Sequence, residues 1–296
     1  MDTKRLAAFI KVVDAGSITR AAKLLNVAQP GLSQQILTLE NEFKTRLLGR
    51  SPRGVTPTPA GRTLYRHAQR ILRQTDEALA NVREAEESLK GHVSVGLAAW
   101  SHGSTHAAEL IRAVHADYPG ILLQVCDTFA LPLSEMVLNG TLDMAYIYGG
   151  GSTQALDYLE CDHEDFVVVL PPDLAPSSEE PVDDYFLSSV PLIMPPSSSF
   201  QRQMVERVCA KIGERPNVVV EVQTLGVLRE LLSQGLGGAV LPKGIADGLA
   251  QKHDLTIRRT QTPMTLPMVI CTSKREGMTD APAAVKSILL QIIGRE

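Results

Sequence analysis

The strongest structural signal in the sequence lies in residues 16–33, which read GSITRAAKLLNVAQPGLS. Ser17 can cap a helix over residues 18–25, because its hydroxyl oxygen can accept a hydrogen bond from a free amide at the helix start. Asn26 tolerates the left-handed conformation that ends a helix. Pro30 suits the first turn of a following helix, where its missing N–H is not needed. Two short helices joined by a tight turn are therefore predicted, which is typical of a helix-turn-helix.

The residues on either side extend this motif to three helices. Upstream, Leu6, Phe9, Ile10 and Val13 repeat at helical spacing and Gly16 marks the helix end. In the third helix, one face is apolar and is expected to lie in the core, whereas the opposite face is polar. The apolar face consists of Leu32, Ile36 and Leu39, and the polar face of Pro30, Gln34 and Thr38, with Ser33 at its flank and Gln29 at the amino end.

A basic hairpin is predicted directly after the third helix, where residues 47–57 read LLGRSPRGVTP. Two short extended runs flank residues 52–54, which have the composition of a turn. An Arg at such a tip can enter a narrow minor groove, where the negative potential is enhanced.

The polar face of the third helix suits the major groove, because a recognition helix places its first residues near base edges and Gln can pair with adenine. A simple solvated surface is the alternative for this helix taken alone. The combination of helix, turn, helix and basic wing favours DNA binding. The predicted DNA-binding residues are Thr19, Gln29, Pro30, Ser33, Gln34, Arg50 and Arg53.

The distribution of charge agrees with this interpretation. The 296 residues carry a net charge of −4, with 44% hydrophobic and 21% charged residues, which is ordinary globular composition. Residues 1–73 hold thirteen Lys or Arg and four Asp or Glu, a balance of +9, whereas residues 74–296 have a balance of −13. A basic head on an acidic body indicates that the head meets a polyanion.

A long helix is predicted after the wing, because Thr58 can cap it and Pro59 can open it, and no further proline occurs before about Leu89. At 1.5 Å per residue it would be roughly 45 Å long. Apolar and small residues repeat in steps of three and four, which favours a seam against a second copy of the helix over a helix that packs on its own domain. The predicted dimerisation residues on this seam are Leu64, Ala68, Ile71 and Val82.

From residue 92 onward, strands and helices alternate. Strands are predicted at 93–98, 121–126, 144–148, 166–170, 191–194 and 217–223, and helices at 105–116, 133–139 and 225–234. A glycine-rich turn at 235–238 leads into a further buried strand. This alternation predicts an open, largely parallel sheet with helices on both faces.

From Phe9 to Leu64 the sequence resembles the LysR-type transcriptional regulators. The matching segments are GSITRAA at 16–22, AQPGLS at 28–33, Leu39-Glu40 and RGVTPTPAG at 53–61. Gln34-Gln35, together with LYRHA at 64–68 and Ile71-Leu72, resembles the nitrogen-assimilation-control branch of that family. The late segment GLGGAVLP at 235–242 is similar to the second subdomain of the family's effector domain.

The resemblance implies an α/β protein with an N-terminal winged helix-turn-helix, a linker helix and a periplasmic-binding-protein-like effector domain of two subdomains. The expected partners are double-stranded promoter DNA, bound at pseudo-palindromic sites, and a second copy of the chain in a dimer or tetramer. RNA polymerase and a small metabolite are further candidate partners. The expected boundaries are 1–58 for the DNA-binding domain, 59–90 for the dimerisation helix, 91–162 with 266–296 for subdomain one, and 163–265 for subdomain two.

A ligand of such a body would sit beyond the carboxyl ends of the strands, near helix N-termini. Each hydroxyl there can also be an ordinary helix cap. Trp100 can itself fill the cleft, which would favour a body that responds weakly or not at all to a metabolite. The predicted effector-binding residues are Trp100, Ser101, Thr128, Tyr148, Ser199 and Thr224.

Other classes of protein fit the sequence less well. No catalytic set with a recognised spacing occurs, so neither an enzyme nor a cofactor is expected. His102 and His106 can share a helical face, but no further ligand is seen to complete a metal site. The four cysteines lie far apart, whereas a peroxide sensor of this family would need a close pair. A solute-binding protein would need a signal peptide, which the first residues do not resemble, and a cytoplasmic protein without a membrane span is expected.

Overall fold

The computed structural model describes residues 2–51, 54–83, 89–149, 153–274 and 277–294, with the side chains of Arg73 and of residues 76–83 left out. The chain forms two compact units, one of residues 1–91 with 139–141 and the other of residues 92–138 with 142–296. The elements of the first unit are α1 (Thr3–Ala15), α2 (Ile18–Leu24), α3 (Gln29–Glu42), β1 (Leu48–Ser51), β2 (Gly54–Pro57) and α4 (Pro59–Arg83).

Local chemistry sets the helix boundaries of the first unit, as predicted. Gly16 ends α1 in the left-handed conformation, with φ of 62°, and the Ser17 hydroxyl accepts a hydrogen bond from the amide of Arg20 at the start of α2. Asn26 is also left-handed, with φ of 54°. The strands β1 and β2 pair antiparallel, so the predicted helix-turn-helix and wing are confirmed.

A single apolar cluster holds this unit together. Leu32, Ile36 and Leu39 of α3 are buried in it, as the sequence predicts. Burial of side chains of this size stabilises a fold by about 1.5–3 kcal/mol each. The cluster also includes Leu6, Phe9 and Val12 of α1, Ile18, Ala21 and Ala22 of α2, and Leu47 and Leu48 at the root of the wing.

The predicted seam on α4 needs a correction. Leu64 and Ala68 are 7% and 0% exposed, because they belong to the apolar cluster of the same chain. They therefore have almost no surface left for a partner helix. Ile71 is half-buried against the same cluster, and the side chain of Val82 lies outside the described residues. The described helix ends at Arg83, and the expected continuation to about residue 89 falls on residues 84–88, which lie outside the described residues.

The second unit is a mixed α/β structure in which strands and helices alternate. Its elements are β3 (Lys90–Ala98), α5 (His102–Thr105), α6 (Ala107–Asp117), β4 (Gly120–Thr128), α7 (Ala130–Leu138), β5 (Met144–Tyr148), β6 (Leu156–Leu170), α8 (Asp184–Ser189), β7 (Leu192–Met194), α9 (Phe200–Ala210), β8 (Val218–Glu221), α10 (Leu225–Ser233), β9 (Ala239–Pro242), α11 (Lys243–Ala250), β10 (Thr256–Arg258), β11 (Thr265–Ser273) and α12 (Asp280–Ile293).

The main sheet has the order β10-β6-β11-β5-β3-β4, and β9 pairs with β6. The pairs β3–β5 and β7–β8 are parallel. The expectation of a largely parallel sheet is wrong for the long strands, because β11 runs antiparallel to both β5 and β6, and β6 runs antiparallel to β9 and β10.

The strand β6 joins the two halves of this unit. Its residues up to Asp165 pair with β11, and its residues from Phe166 onward pair with β9, while residues 168–170 also pair with β10. The subdomain boundary expected at residues 162 and 163 lies within β6, shortly before the strand changes partners. The chain therefore passes between halves along one continuous strand rather than through a loop.

Candidate nucleic-acid interface and effector cleft

The recognition helix α3 presents its polar residues to solvent. Gln29, Pro30 and Gln34 are exposed, and Ser33 is half-buried. The residue before the helix is Ala28, which provides no side-chain cap. The first amides of α3 are therefore left without the usual side-chain acceptor, and such amides can donate to a DNA phosphate. Thr19, in the first turn of α2, is exposed as well.

The wing is fixed to the helix-turn-helix at its second strand. The amide of Val55 donates a hydrogen bond to the carbonyl of Gly16, with an N···O distance of 2.9 Å. Gly54 has φ of +125°, and a Cβ atom there would lie 2.6 Å from the same carbonyl oxygen, so only glycine fits. Arg50 is exposed on β1, opposite Val55. Arg53 lies outside the described residues.

A cavity of about 300 Å³ lies within the second unit, at the ends of β3 and β4. Of the six residues predicted to bind an effector, Trp100, Thr128 and Thr224 line it, whereas Ser101, Tyr148 and Ser199 do not belong to its lining. The lining residues are Ala99, Trp100, Ser104, Asp127, Thr128, Phe129, Gln223, Thr224 and Leu225.

Trp100 packs against the second half of this unit and forms part of the cavity wall. Its side chain is only 2% exposed and belongs to an apolar cluster with Leu228 and Ala246 of the second half. Its backbone is left-handed, with φ of 58°, a conformation that costs a non-glycine residue on the order of 1–3 kcal/mol. The buried indole N–H has no acceptor among the described residues. Packing of the ring therefore outweighs two local penalties.

The serine hydroxyls at the predicted cleft serve the local backbone. The Ser101 hydroxyl is buried and donates to the carbonyl of Ala98 at 2.6 Å. The Ser199 hydroxyl accepts from the amide of Arg202 and caps α9. Thr224 caps α10 in the same way, although it also lines the cavity. The contacts of Ser199 and Thr224 match the alternative of ordinary helix caps, whereas the Ser101 hydroxyl makes no side-chain cap.

Tyr148 lies in a buried polar cluster that sequence reasoning missed. Its hydroxyl donates to a carboxylate oxygen of Glu164 and lies 3.0 Å from the carbonyl oxygen of Trp100. The other carboxylate oxygen of Glu164 accepts from the amide of His102. Burial raises the pKa of Glu164 above its usual value, and burial together with the Glu164 charge raises the pKa of Tyr148 well above 10. In the sequence, Glu164 belongs to the charged stretch at 160–165 that precedes the apolar run, and nothing there distinguishes it from its acidic neighbours.

The described residues offer no group of three or more His, Cys, Asp or Glu that could hold a metal. The rings of His102 and His106 lie 5.2 Å apart, and Glu109 lies 3.7 Å from His106, a neighbouring carboxylate that the sequence interpretation overlooked. Burial raises the pKa of Cys209 to about 11 and that of Cys271 to about 12. Such thiols are poor nucleophiles, because the thiolate is the reactive form.

None of the helices in the described part of the chain is long and apolar enough to cross a membrane.

Two family models match the chain. The model described as "Bacterial regulatory helix-turn-helix protein, lysR family" matches residues 3–62, and the model described as "LysR substrate binding domain" matches residues 86–292. These matches fall on both compact units, and residues 63–85, which include most of α4, lie between them.

Similar proteins extend along the full chain. The nitrogen assimilation regulatory protein nac of Escherichia coli K12 is 36% identical, over 99% of this chain and 95% of that protein. The protein of the same name from Klebsiella aerogenes is 33% identical, over 100% of this chain and 96% of that protein. The crystal structure of full-length CbnR complexed with its target DNA has a TM-score of 0.69 at 21% identity, and covers 100% of this chain and 99% of that one.

Proposed function

This chain belongs to the LysR family of bacterial DNA-binding transcription regulators and is not an enzyme, and on that premise we propose how it reads its sites. Two copies bind a pseudo-palindromic promoter site, each with α3 in the major groove and the wing over the adjacent minor groove. The observation that carries this proposal is the division of α3 into a buried apolar face and an exposed polar face that starts with Gln29.

In this proposal, two chains associate through the later part of α4. Leu64 and Ala68 pack within their own chain, so the partner helix meets α4 beyond Ile71, where Val82 continues the seam. A dimer places two recognition helices one DNA turn apart, and a tetramer of two such dimers is the further assembly we propose. The boundaries at residues 58, 90 and 162 remain proposals of the same kind.

The proposed class of target genes is based on the names of two relatives. We propose that the chain regulates genes of nitrogen assimilation in the cytoplasm, with RNA polymerase as a further partner, because two full-length relatives above 30% identity carry that name. Genome-wide mapping of bound DNA under nitrogen excess and nitrogen limitation tests this. Bound promoters enriched in nitrogen-assimilation genes, with a shared palindrome, are expected, and a set of promoters without either feature would contradict the proposal.

We propose that the effector domain responds weakly or not at all to a metabolite. The Trp100 ring is buried against the second half and narrows the cavity that it lines, and the Ser101 and Ser199 hydroxyls already have partners. A ligand must bind one arrangement of the halves better than another to act as a switch. Thermal-shift screening of the full chain against metabolites tests this, and a saturable stabilisation that Thr128→Val abolishes would contradict it.

A further inference from the structure

The root of the wing is hydrogen-bonded to α3 through the carboxylate of Glu40. One oxygen of Glu40, Oε1, accepts hydrogen bonds from the amides of Leu47 and Leu48, with N···O distances of 2.8 and 3.1 Å. Glu40 lies in the last turn of α3, and Leu48 is the first residue of β1. The carboxylate therefore joins the recognition helix directly to the strand that carries Arg50.

The position of Glu40 on the helix is unfavourable by itself. The carboxyl end of a helix carries a partial negative charge, which repels an acidic side chain in the last turn. Two amide donors offset this, because hydrogen bonds to a charged acceptor are about twice as strong as those between neutral groups. The contact with the wing is thus the favourable interaction that Glu40 gains at this position.

Other contacts restrict the same root of the wing. The carbonyl of Leu47 accepts from the amide of Thr58 at 2.9 Å, and a Cβ atom on Gly61 would lie 1.9 Å from that carbonyl oxygen. The side chains of Leu47 and Leu48 are buried in the apolar cluster of the head. Arg50 follows Leu48 by two residues, about 6.6 Å along a strand. A displacement of the root would therefore displace Arg50 by nearly the same distance.

We infer that Glu40 is a positioning residue for DNA recognition, which sets the distance between the reading face of α3 and the Arg50 side chain on the wing. The inference rests on the proposed DNA interface. In the proposed interface, Glu40 itself does not touch DNA. Its removal should weaken specific binding by loosening the wing, so that Arg50 contributes less when Glu40 is absent.

A double-mutant cycle on the full-length chain tests the inference. Dissociation constants are measured at fixed salt for a specific site and for random duplex of the same length, with Glu40→Ala, Arg50→Ala and the double variant. We expect Glu40→Ala to weaken specific binding by about tenfold, the scale of one hydrogen bond to a charged group. The fold-loss of affinity in the double variant should be clearly smaller than the product of the two single fold-losses, because the two residues act through one contact.

The conservative variants separate positioning from stability. Glu40→Gln keeps an acceptor oxygen for both amides, with weaker bonds because the charge is gone, and should bind the specific site more tightly than Glu40→Ala. Glu40→Asp keeps the charge but is one methylene shorter. It should bind the specific site less tightly, while its unfolding midpoint should equal that of the natural protein. It replaces Glu40→Ala in the cycle if that variant does not fold.

Glu42→Ala is the matched control, since Glu42 lies in the same turn but pairs with Arg5. Its affinity for the specific site should stay within about twofold of that of the natural protein.

Two results would overturn the inference in distinguishable ways. If the losses from Glu40 and Arg50 simply multiply, or Glu40→Gln binds as poorly as Glu40→Ala, Glu40 does not position the wing, and the proposed interface stands. If Arg50→Ala alone leaves specific binding unchanged, the wing contact of the proposed function fails and the role of Glu40 fails with it.

Discussion

The polar residues of the head and those of the body are used in opposite ways. On α3 of the head, Gln29 and Gln34 are exposed and have no structural task in the described chain that would oppose a contact with DNA. In the body, the Ser101 and Ser199 hydroxyls and the Glu164 carboxylate already have partners within the chain. A surface that binds an external polymer keeps donors and acceptors exposed, whereas these three groups of the body bond to other parts of the same chain.

The largest expected effect concerns the association of two heads. Val82→Asp places a charge on the part of α4 that lies beyond the apolar cluster of the head, so a partner helix would have to bury it. Affinity for a paired site should fall by about 10²–10⁴-fold, the usual gain from linking two binding modules. Analytical ultracentrifugation and titration of paired and single half-sites measure this.

Arg66→Ala is the control for that variant, because Arg66 is exposed on the same helix near the head. It should remain a dimer. A dimeric Val82→Asp protein that binds paired sites cooperatively would remove the proposed seam.

Removal of the Trp100 ring should strongly destabilise the body. Trp100→Ala is expected to lower the free energy of unfolding by about 3–5 kcal/mol, as for other large aromatic residues in cores. Trp100→Phe keeps most of the packing and removes an indole N–H that lacks an acceptor, so it should cost much less. Denaturation followed by circular dichroism measures both variants. A loss below about 1 kcal/mol for Trp100→Ala would show that the ring does not hold the halves together.

Loss of a helix cap should have a smaller effect. Ser199→Ala removes the acceptor for the amide of Arg202 and should cost about 1 kcal/mol. Ser198 is exposed and directly precedes it, so Ser198→Ala is the matched control and should be neutral. Urea unfolding measures the difference. If Ser199→Ala unfolds like the natural protein, the cap contributes nothing, and the hydroxyl is available for a ligand.

The smallest effect is a pH dependence from Glu164. Burial raises its pKa in the folded state, so the folded protein holds this proton more tightly than the unfolded chain does. Its contribution is fully present below the unfolded pKa and is lost as pH rises through the folded pKa. Between about pH 4.3, the ordinary pKa of Glu, and neutral pH, the free energy of unfolding should therefore fall less for Glu164→Gln than for the natural protein. Exposed Glu135→Gln is the control, and identical slopes for all three proteins would contradict the assignment.

The sequence predicts the head well because its signals are local. Ser17, Gly16 and Asn26 determine helix ends through their own backbone and side-chain chemistry, and the structure places all three as expected. The seam on α4 shows where local reasoning ends. The same spacing of apolar residues serves a partner helix or the core of the same chain, and Leu64 and Ala68 serve the latter.

The body was harder to predict because long-range pairing determines it. The first part of β6, residues 156–165, is rich in charged side chains and becomes a strand only through its pairing with β11. Neither segment was predicted. Glu164 was missed for the same reason, since Tyr148 and His102 reach it from sequence positions far away. That Trp100 would lie at this cleft could be anticipated, because it directly follows the predicted strand at 93–98, but a cavity of about 300 Å³ remains beside it.

The central claim is that the exposed face of α3 reads bases, and Gln29→Ala tests it most directly. Binding of the full-length chain to a specific site and to random duplex is measured across a salt series for the natural protein and the variant. Loss of a bidentate base contact should cost about 1–3 kcal/mol at the specific site. The affinity for random duplex, and the slope of log affinity against log salt concentration, should stay unchanged, because both depend on phosphate contacts. An equal loss on both duplexes, or a reduced slope, would contradict the base-reading role of this helix.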